Sequence, residues 1–215
     1  MAKKRGEMKN RKIRVLIADD HAVVRIGLSA LLGTESDISV VGVAKDGIET
    51  VEETLRLKPD VIVMDLMMPK KTGVEATADI LAALPETKII VLTTFAASDA
   101  IARALELGAA GAVMKTAEDE ELVSIIRTVA SGGHVVSDEI QKLLADDPPA
   151  EKLTARQMDI LESVTRGLTN ADIAKMLGLR EQSVKEHISA IFAKIGAANR
   201  SEAVAITLRK QLLKL

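Results

Sequence analysis

The chain has 215 residues, 47% of them hydrophobic and 28% charged, the balance of an ordinary globular protein long enough for one large domain or two small ones. Cysteine is absent, which excludes disulfides and thiolate metal sites. No stretch approaches the roughly 20 apolar residues that cross a bilayer, and no apolar run follows the first charges, so a cytoplasmic protein without membrane contact is expected.

The net charge of −2 hides an asymmetry. Residues 1–14 hold seven Lys or Arg against one acid, residues 15–150 hold 11 basic and 23 acidic side chains, and residues 151–215 hold 11 and 7. An acidic body followed by a basic module implies two domains with different partners. Phe95 and Phe192 are the only aromatic residues. Unpaired bases would find almost nothing to stack on, so a nucleic-acid partner is expected to be a duplex read through a helix.

The tail at 1–12, MAKKRGEMKNRK, has the composition of a disordered, solvated segment. From Ile13 to about Gly133, apolar β-branched runs alternate with amphipathic stretches. The strand-like runs are 13–18, 39–44, 61–65, 88–93 and 112–115, apolar nearly throughout, as parallel strands buried on both faces require. Helices are expected at about 21–33, 46–58, 73–84, 98–107 and 118–131. Five strand–helix units in series imply a doubly wound, five-stranded parallel α/β domain over 13–133. Residues 134–150 read as a linker with one short helix at 137–146, broken by Asp146-Asp147-Pro148-Pro149. Beyond it, 151–215 reads as all-α, with helices at about 154–166, 170–177, 181–194 and 201–213. Gly167, Gly178 and Gly196 stand at the helix ends, and Thr154, Asn170 and Ser201 are the expected N-caps.

In such a sheet, ligands bind beyond the carboxyl ends of the strands. The first strand ends in Asp19-Asp20, the third in Asp65, the fourth in Thr93-Thr94 and the fifth in Lys115. Clustered carboxylates repel unless a cation neutralises them. An oxygen-only site without His or Cys selects a hard ion, and Mg²⁺ fits it best. A carboxylate beside that ion can attack a phosphoryl group, with Thr93 and Lys115 placed to bind the phosphoryl oxygens.

The segments IADDH (17–21), VIVMDLMMP (61–69), VLTT (91–94) and GAAGAVMK (108–115) resemble, in order and spacing, the receiver domain of two-component response regulators. The resemblance implies that Asp65 accepts phosphate from a sensor histidine kinase. It further implies that Asp20, Asp65 and the Met67 main-chain carbonyl ligate Mg²⁺, with Asp19 acting through water. Thr93 would follow the phosphoryl group, with Thr94 beside it; Lys115 would pair with it, and Pro69 would shape the following loop. One departure is Ala112, which stands three residues before the lysine where the family usually has an aromatic switch residue. Met67 and Phe95 are apolar at positions flanking the acceptor and Thr93, so neither would orient an attacking water, and a long-lived aspartyl phosphate is expected.

In the basic module, LTNADIAKMLGL followed by REQSVKEHISAIF gives two helices joined at Gly178, the helix-turn-helix arrangement. Ile173, Ala174, Leu177, Val184, Ile188 and Ile191 face inward at helical spacing. Gln182, Ser183, Lys185, Glu186 and Ser189 are left outward. LTARQ, GLTNADIA, VKEH and NRSEAV resemble the LuxR-type DNA-binding domain of the NarL/FixJ subfamily. The resemblance implies that Lys185 and its neighbours contact bases or phosphates, with Thr154, Asn170 and Arg200 positioning the fold or touching the DNA backbone. Gln157 stands where the family has Glu, a loss of a structural charge pair. Glu186 repels phosphate and at best accepts from cytosine. Val204, Leu208, Leu212 and Leu215 form a candidate apolar dimer face on the last helix, with core packing as the alternative.

Together these expectations describe a transcription factor, not an enzyme beyond its own phosphotransfer. It is expected to dimerise on phosphorylation and bind double-stranded promoter DNA. A phosphorelay or interaction protein without DNA output is the alternative from another class. A Mg²⁺-dependent aspartyl phosphatase would need a second acid where Met67 stands.

Overall fold

The computed structural model describes residues 11–94, 98–151, 153–210 and 212–213. The basic tail before Arg11, Phe95 and Leu215, all invoked above, lie outside the described residues. The chain divides into two compact units, 1–146 and 147–215.

The first unit alternates β1 (Ile13–Ala18), α1 (Ala22–Gly33), β2 (Ile38–Ala44), α2 (Gly47–Leu57), β3 (Val61–Asp65), α3 (Gly73–Ala83), β4 (Lys88–Thr93), α4 (Ser98–Glu106), β5 (Gly111–Met114) and α5 (Asp119–Ala130). Two further elements follow, β6 (Val135–Val136) and α6 (Asp138–Asp146). All strand pairs are parallel, in the order β2-β1-β3-β4-β5-β6. Alternate strand residues feed two cores, one on each face of the sheet. Leu16, Ile62, Met64, Ile89, Val91 and Met114 enter one with Ile80 and Ile101. Val15, Ile17, Val61, Val63, Ile90 and Val113 enter the other with Ile125 and Ile126.

The sheet has six strands where five were expected, and 134–146 belongs to the α/β unit where a linker was expected. Two short observations explain the difference. Val135 and Val136 pair with Gly111 and Ala112 of β5, extending the sheet by one narrow edge. Ile140 of α6 is fully buried in the first core, with Leu143 and Leu144 packed against it. Only from Asp147 does the chain join the second unit, where the Lys210 ammonium holds the Asp147 carboxylate at 2.9 Å and donates to the Pro148 carbonyl at 2.7 Å.

The second unit contains α7 (Ala155–Thr165), α8 (Asn170–Leu177), α9 (Glu181–Ile195) and α10 (Arg200–Arg209). Its core is built on Ile160, Leu161, Ile173, Val184, Ile191 and Ala203. Gly178 and Gly196 close α8 and α9 in the left-handed region, at φ +64° and +74°, where glycine carries no Cβ penalty. Thr154 caps α7 as expected, in a capping box with Gln157. The other two caps fall one and two residues earlier than expected. Thr169, not Asn170, caps α8, and Asn199, not Ser201, caps α10. At α8 the Asp172 carboxylate accepts from the Thr169 N–H and completes a capping box; at α10 Asn199 accepts from the Glu202 N–H, and the Glu202 carboxylate accepts from the Ala198 N–H. The last helix stops at Arg209 rather than 213, so Leu212 lies beyond it.

The lost charge at Gln157 is not a lost contact. Its Oε1 accepts from the Thr154 N–H at 3.0 Å and from the Lys194 ammonium at 3.2 Å.

Two measurements follow from this packing. Ile140→Ala should destabilise the α/β unit by about 2–5 kcal/mol, as deletion of a buried aliphatic side chain does; urea denaturation showing no change would place α6 outside the core. Gln157→Glu should stabilise the helical unit by about 0.5–1 kcal/mol, through a charge-assisted bond to Lys194 at a helix N-terminus. The paired carboxylate would titrate below its unfolded value, so the gain is present above about pH 4.3 and disappears as pH falls further.

Candidate phosphoacceptor pocket and helix-turn-helix surface

The strand order reverses its direction of growth between β1 and β3, with β2 on one flank and β4 to β6 on the other. The crevice at such a point is the ordinary ligand site of an open α/β sheet. Asp19 and Asp20 follow β1, Asp65 ends β3, Thr93 ends β4 and Lys115 follows β5.

The structure brings Asp19, Asp20, Asp65 and Lys115 together. The Lys115 ammonium stands 2.6 Å from Asp19 Oδ2 and 2.8 Å from Asp65 Oδ2. Asp19 and Asp65 are 1% and 3% exposed, so neither can rely on water to stabilise its charge. Burial is the largest single influence on the Lys115 ammonium and favours its neutral form. The hydrogen bonds and charges of Asp19 and Asp65 together outweigh it, holding the group above the ordinary lysine range. Asp65 Oδ1 also accepts from the Met67 N–H at 3.1 Å, which aims the acceptor loop back over the carboxylate.

Asp20 is one-third exposed and its Oδ1 lies 2.7 Å from His21 Nδ1. Candidate ligand atoms of Asp19, Asp20, His21 and Asp65 all fall within 4.8 Å of one another, an acidic pocket able to hold a cation. His21 adds a nitrogen beside the three carboxylates. His21 occupies the N-cap position of α1, its backbone N–H donates to Asp19 Oδ1 at 2.8 Å, and its ring leans on the two carboxylates. Arg25 was also missed. One turn into α1, its guanidinium donates to the Asp19 and Asp20 carbonyls at 2.6 and 3.0 Å and fixes the β1–α1 loop. An arginine following Asp-Asp-His at helical spacing was the available signal.

Thr93 is buried at the end of β4, and its Oγ1 donates to the Thr94 carbonyl at 3.3 Å. Thr94 is exposed. Ala112 is fully buried, paired with Val91 on one side and Val136 on the other. It sits in the first core, the one that α6 enters through Ile140.

In the helical unit, α8 and α9 form the expected pair. Gln182, Lys185, Glu186 and Ser189 are exposed on α9, while Ser183 is half-buried. Lys185 pairs with Glu181 at 3.1 Å, and Gln182 donates to Glu186 at 3.3 Å. Arg180, at the N-cap position of α9, is exposed beside them and was not singled out from the sequence. Thr154 is exposed at the cap of α7, and Asn170 is half-buried in the first turn of α8. The Arg200 guanidinium turns inward and donates to the Val164 and Leu168 carbonyls, tying α10 to the α7–α8 loop. On the candidate dimer face, Leu208 is 51% exposed. Val204 and Leu212 are partly buried against the core.

Residues 15–127 match the family of response regulator receiver domains, and residues 151–207 match the luxR family of bacterial regulatory proteins. The transcriptional regulatory protein YxjL of Bacillus subtilis is 36% identical over 219 residues, spanning 96% of this chain and all of YxjL. The oxygen regulatory protein NreC of Staphylococcus aureus (strain MRSA252) is 36% identical over 216 residues, spanning 94% of this chain and all of NreC. Among solved structures, the response regulator ChrA of a heme-sensing two-component system is 32% identical, with a TM-score of 0.57 over 94% of this chain and 99% of ChrA. RcsB of Salmonella enterica serovar Typhimurium, bound to promoter DNA, shares the fold at 23% identity, with a TM-score of 0.71 over 93% of this chain and 99% of RcsB. The chain therefore belongs to the response regulators of the NarL/FixJ type, a receiver domain joined to a LuxR-type DNA-binding domain.

Proposed function

We propose that Asp65 accepts a phosphoryl group from a sensor histidine kinase and that this modification controls dimerisation and binding to double-stranded promoter DNA. The observation that carries the proposal is the buried Asp65 carboxylate, held by Lys115 and Met67 beside two further acids at the switch point of the sheet.

Asp19, Asp20, Asp65 and the Met67 carbonyl would hold Mg²⁺. Their hard oxygen donors suit it, and His21 serves as their hydrogen-bond partner. The bound ion would supply neutralisation of the carboxylates and of the incoming phosphoryl oxygens. In the transfer, an Asp65 oxygen forms a bond to phosphorus while the bond from phosphorus to the donor imidazole nitrogen breaks, its electron pair returning to the ring. The Met67 N–H orients the nucleophile. Lys115 releases Asp65 Oδ2 to pair with the new dianion. Thr93 turns its hydroxyl from the Thr94 carbonyl toward a phosphoryl oxygen. Met67 offers no base beside the acceptor, which favours a long-lived aspartyl phosphate and disfavours phosphatase turnover.

On DNA, α9 would enter the major groove with Gln182, Ser183, Lys185, Glu186 and Ser189 toward the bases and phosphates. Thr154 and Asn170 would support it at the DNA backbone. Val204, Leu208 and Leu212 would contribute to pairing of two helical units on half-sites about 10 bp apart. Because Arg200 already serves two carbonyls, its part is to hold the α7–α8 loop. The cytoplasm is the compartment in which such a kinase and promoter meet; among the described residues no helix is long and apolar enough to cross a membrane.

Incubation with a phosphorylated kinase or acetyl phosphate should place one acid-stable, base-labile phosphoryl group on the protein, and Asp65→Asn should abolish it. Its half-life should be minutes to hours; a half-life of seconds would refute the reading of Met67. Beryllofluoride with Mg²⁺ should convert monomer to dimer by light scattering and tighten binding to selected promoter fragments. Lys185→Ala should then cost about 1–3 kcal/mol of DNA binding. A protein that takes phosphate but binds no duplex would favour an interaction protein without DNA output.

A further inference from the structure

The segment after Asp65 contains a strained turn that the acceptor chemistry above does not use. Two described non-glycine residues have positive φ, Lys58 at +47° and Lys70 at +64°. Lys58 is an ordinary left-handed stop at the end of α2, its N–H bonded to the Thr54 carbonyl. Lys70 terminates no helix. It lies at the centre of a three-residue turn in which the Lys71 N–H donates to the Pro69 carbonyl at 2.7 Å. A turn closed across two residues, with positive φ at its middle residue, is the rare and strained form of the γ-turn. A Cβ there is unfavourable, and glycine would adopt the conformation freely.

What holds Lys70 in place is a nearly buried carboxylate on another element. The Lys70 ammonium lies 2.5 Å from Asp46 Oδ2, and the Asp46 side chain is 2% exposed. The other oxygen of Asp46 accepts from the Glu49 N–H at 2.9 Å and caps α2. One carboxylate thus ties the start of α2 to the turn. The Glu49 amide first, and then the Lys70 ammonium, hold that carboxylate below its ordinary range; Asp46 raises Lys70 in return. The backbones around the turn are in close contact. A Cβ on Gly47 would meet the Lys71 carbonyl at 2.1 Å, and one on Gly73 would meet the Asp65 carbonyl at 2.3 Å. The Gly73 N–H donates to the Leu66 carbonyl at 2.9 Å and closes the loop. Few other ways remain for the peptide of Met67, which lies inside this closed loop and already bonds Asp65, to settle.

We propose that Asp46 is a positioning residue for phosphoryl acceptance: its ion pair with Lys70 holds the strained turn and so fixes the Met67 main chain against Asp65. This rests on the reading of Asp65 as acceptor with the Met67 carbonyl as a Mg²⁺ ligand. Residues that orient metal ligands from behind alter affinity by about 10–100-fold when removed.

A double-mutant cycle tests it in the full-length protein. Asp46→Asn keeps an oxygen for the Glu49 N–H but loses the charge facing Lys70; thermal unfolding monitored by circular dichroism checks that the fold is retained. In this variant Mg²⁺ binding, followed by calorimetry because the chain lacks Trp and Tyr, should weaken about tenfold. Phosphorylation by acetyl phosphate should slow in step, and the Lys71 amide should exchange faster with deuterium. Lys70→Gly supplies the turn conformation without the ion pair, so in its background Asp46→Asn should change Mg²⁺ affinity by less than about twofold. Unchanged Mg²⁺ binding in Asp46→Asn, or a loss that Lys70→Gly does not rescue, overturns the positioning role while leaving Asp65 as acceptor. A wild-type protein that neither binds Mg²⁺ nor takes phosphate from acetyl phosphate overturns both.

Discussion

Two carboxylates with almost no access to water, Asp19 and Asp65, sit side by side at the end of the sheet, and the α/β unit is arranged to make that tolerable. Buried like charges resist ionisation unless a cation is close. Lys115 supplies it, but from β5, two strands away from β3, across roughly 10 Å of sheet at ordinary strand spacing. The lysine side chain and the facing carboxylate side chains close that span together. The acid pair and the long Lys are therefore one constraint, and the strand order β1-β3-β4-β5 is what meets it. The same ammonium faces both buried acids, so the stability of the pocket rests on one group.

Ala112 gains a structural reason from the elements that follow α5. Its neighbour on the edge is β6, and α6 lays Ile140 into the core that Ala112 enters. Where the family usually carries an aromatic ring three residues before the lysine, this chain has filled the adjoining volume with a helix. Ile140 is fully buried in that core, and Leu143 and Leu144 pack against it. At this position the chain has a fully buried alanine, with no ring to rotate.

Much of the architecture was legible because its physics is periodic. Parallel strands buried on both faces must be continuous apolar runs, and β1, β3 and β4 stand at the residues so read. The acidic cluster was legible because strand ends in such a sheet converge. β6 and α6 were not, since two valines and one short helix ahead of a Pro-Pro pair carry no period long enough to separate from a linker. The caps of α8 and α10 slipped because Thr169-Asn170 and Asn199 through Ser201 each offer several oxygens; at α8 the acid three residues downstream of Thr169 completes a capping box, and that signal was present in the sequence. Lys70 lies at the other limit. Its left-handed turn is normally announced by glycine, and Pro-Lys-Lys conceals it. Only the placement of Asp46, 24 residues earlier, makes the turn intelligible.

The charge split of the sequence acquires a local meaning on α9. Of its outward groups, Lys185 is tied to Glu181, and Gln182 to Glu186, in exposed intrahelical pairs. Such pairs contribute about 0–1 kcal/mol each, so opening them on DNA costs little. They nevertheless cancel much of the positive field on the surface that would enter a groove. The excess of 11 basic over 7 acidic groups in residues 151–215 is carried by other exposed groups such as Arg180, Lys175 and Arg166. Charges of this kind would contact phosphates, which carry little sequence information. If discrimination rests on the few polar groups of α9, one helical unit has too few attractive contacts to select a site, whereas two held together double both terms. Weak reading by each unit would make pairing of two units matter more than the affinity of one.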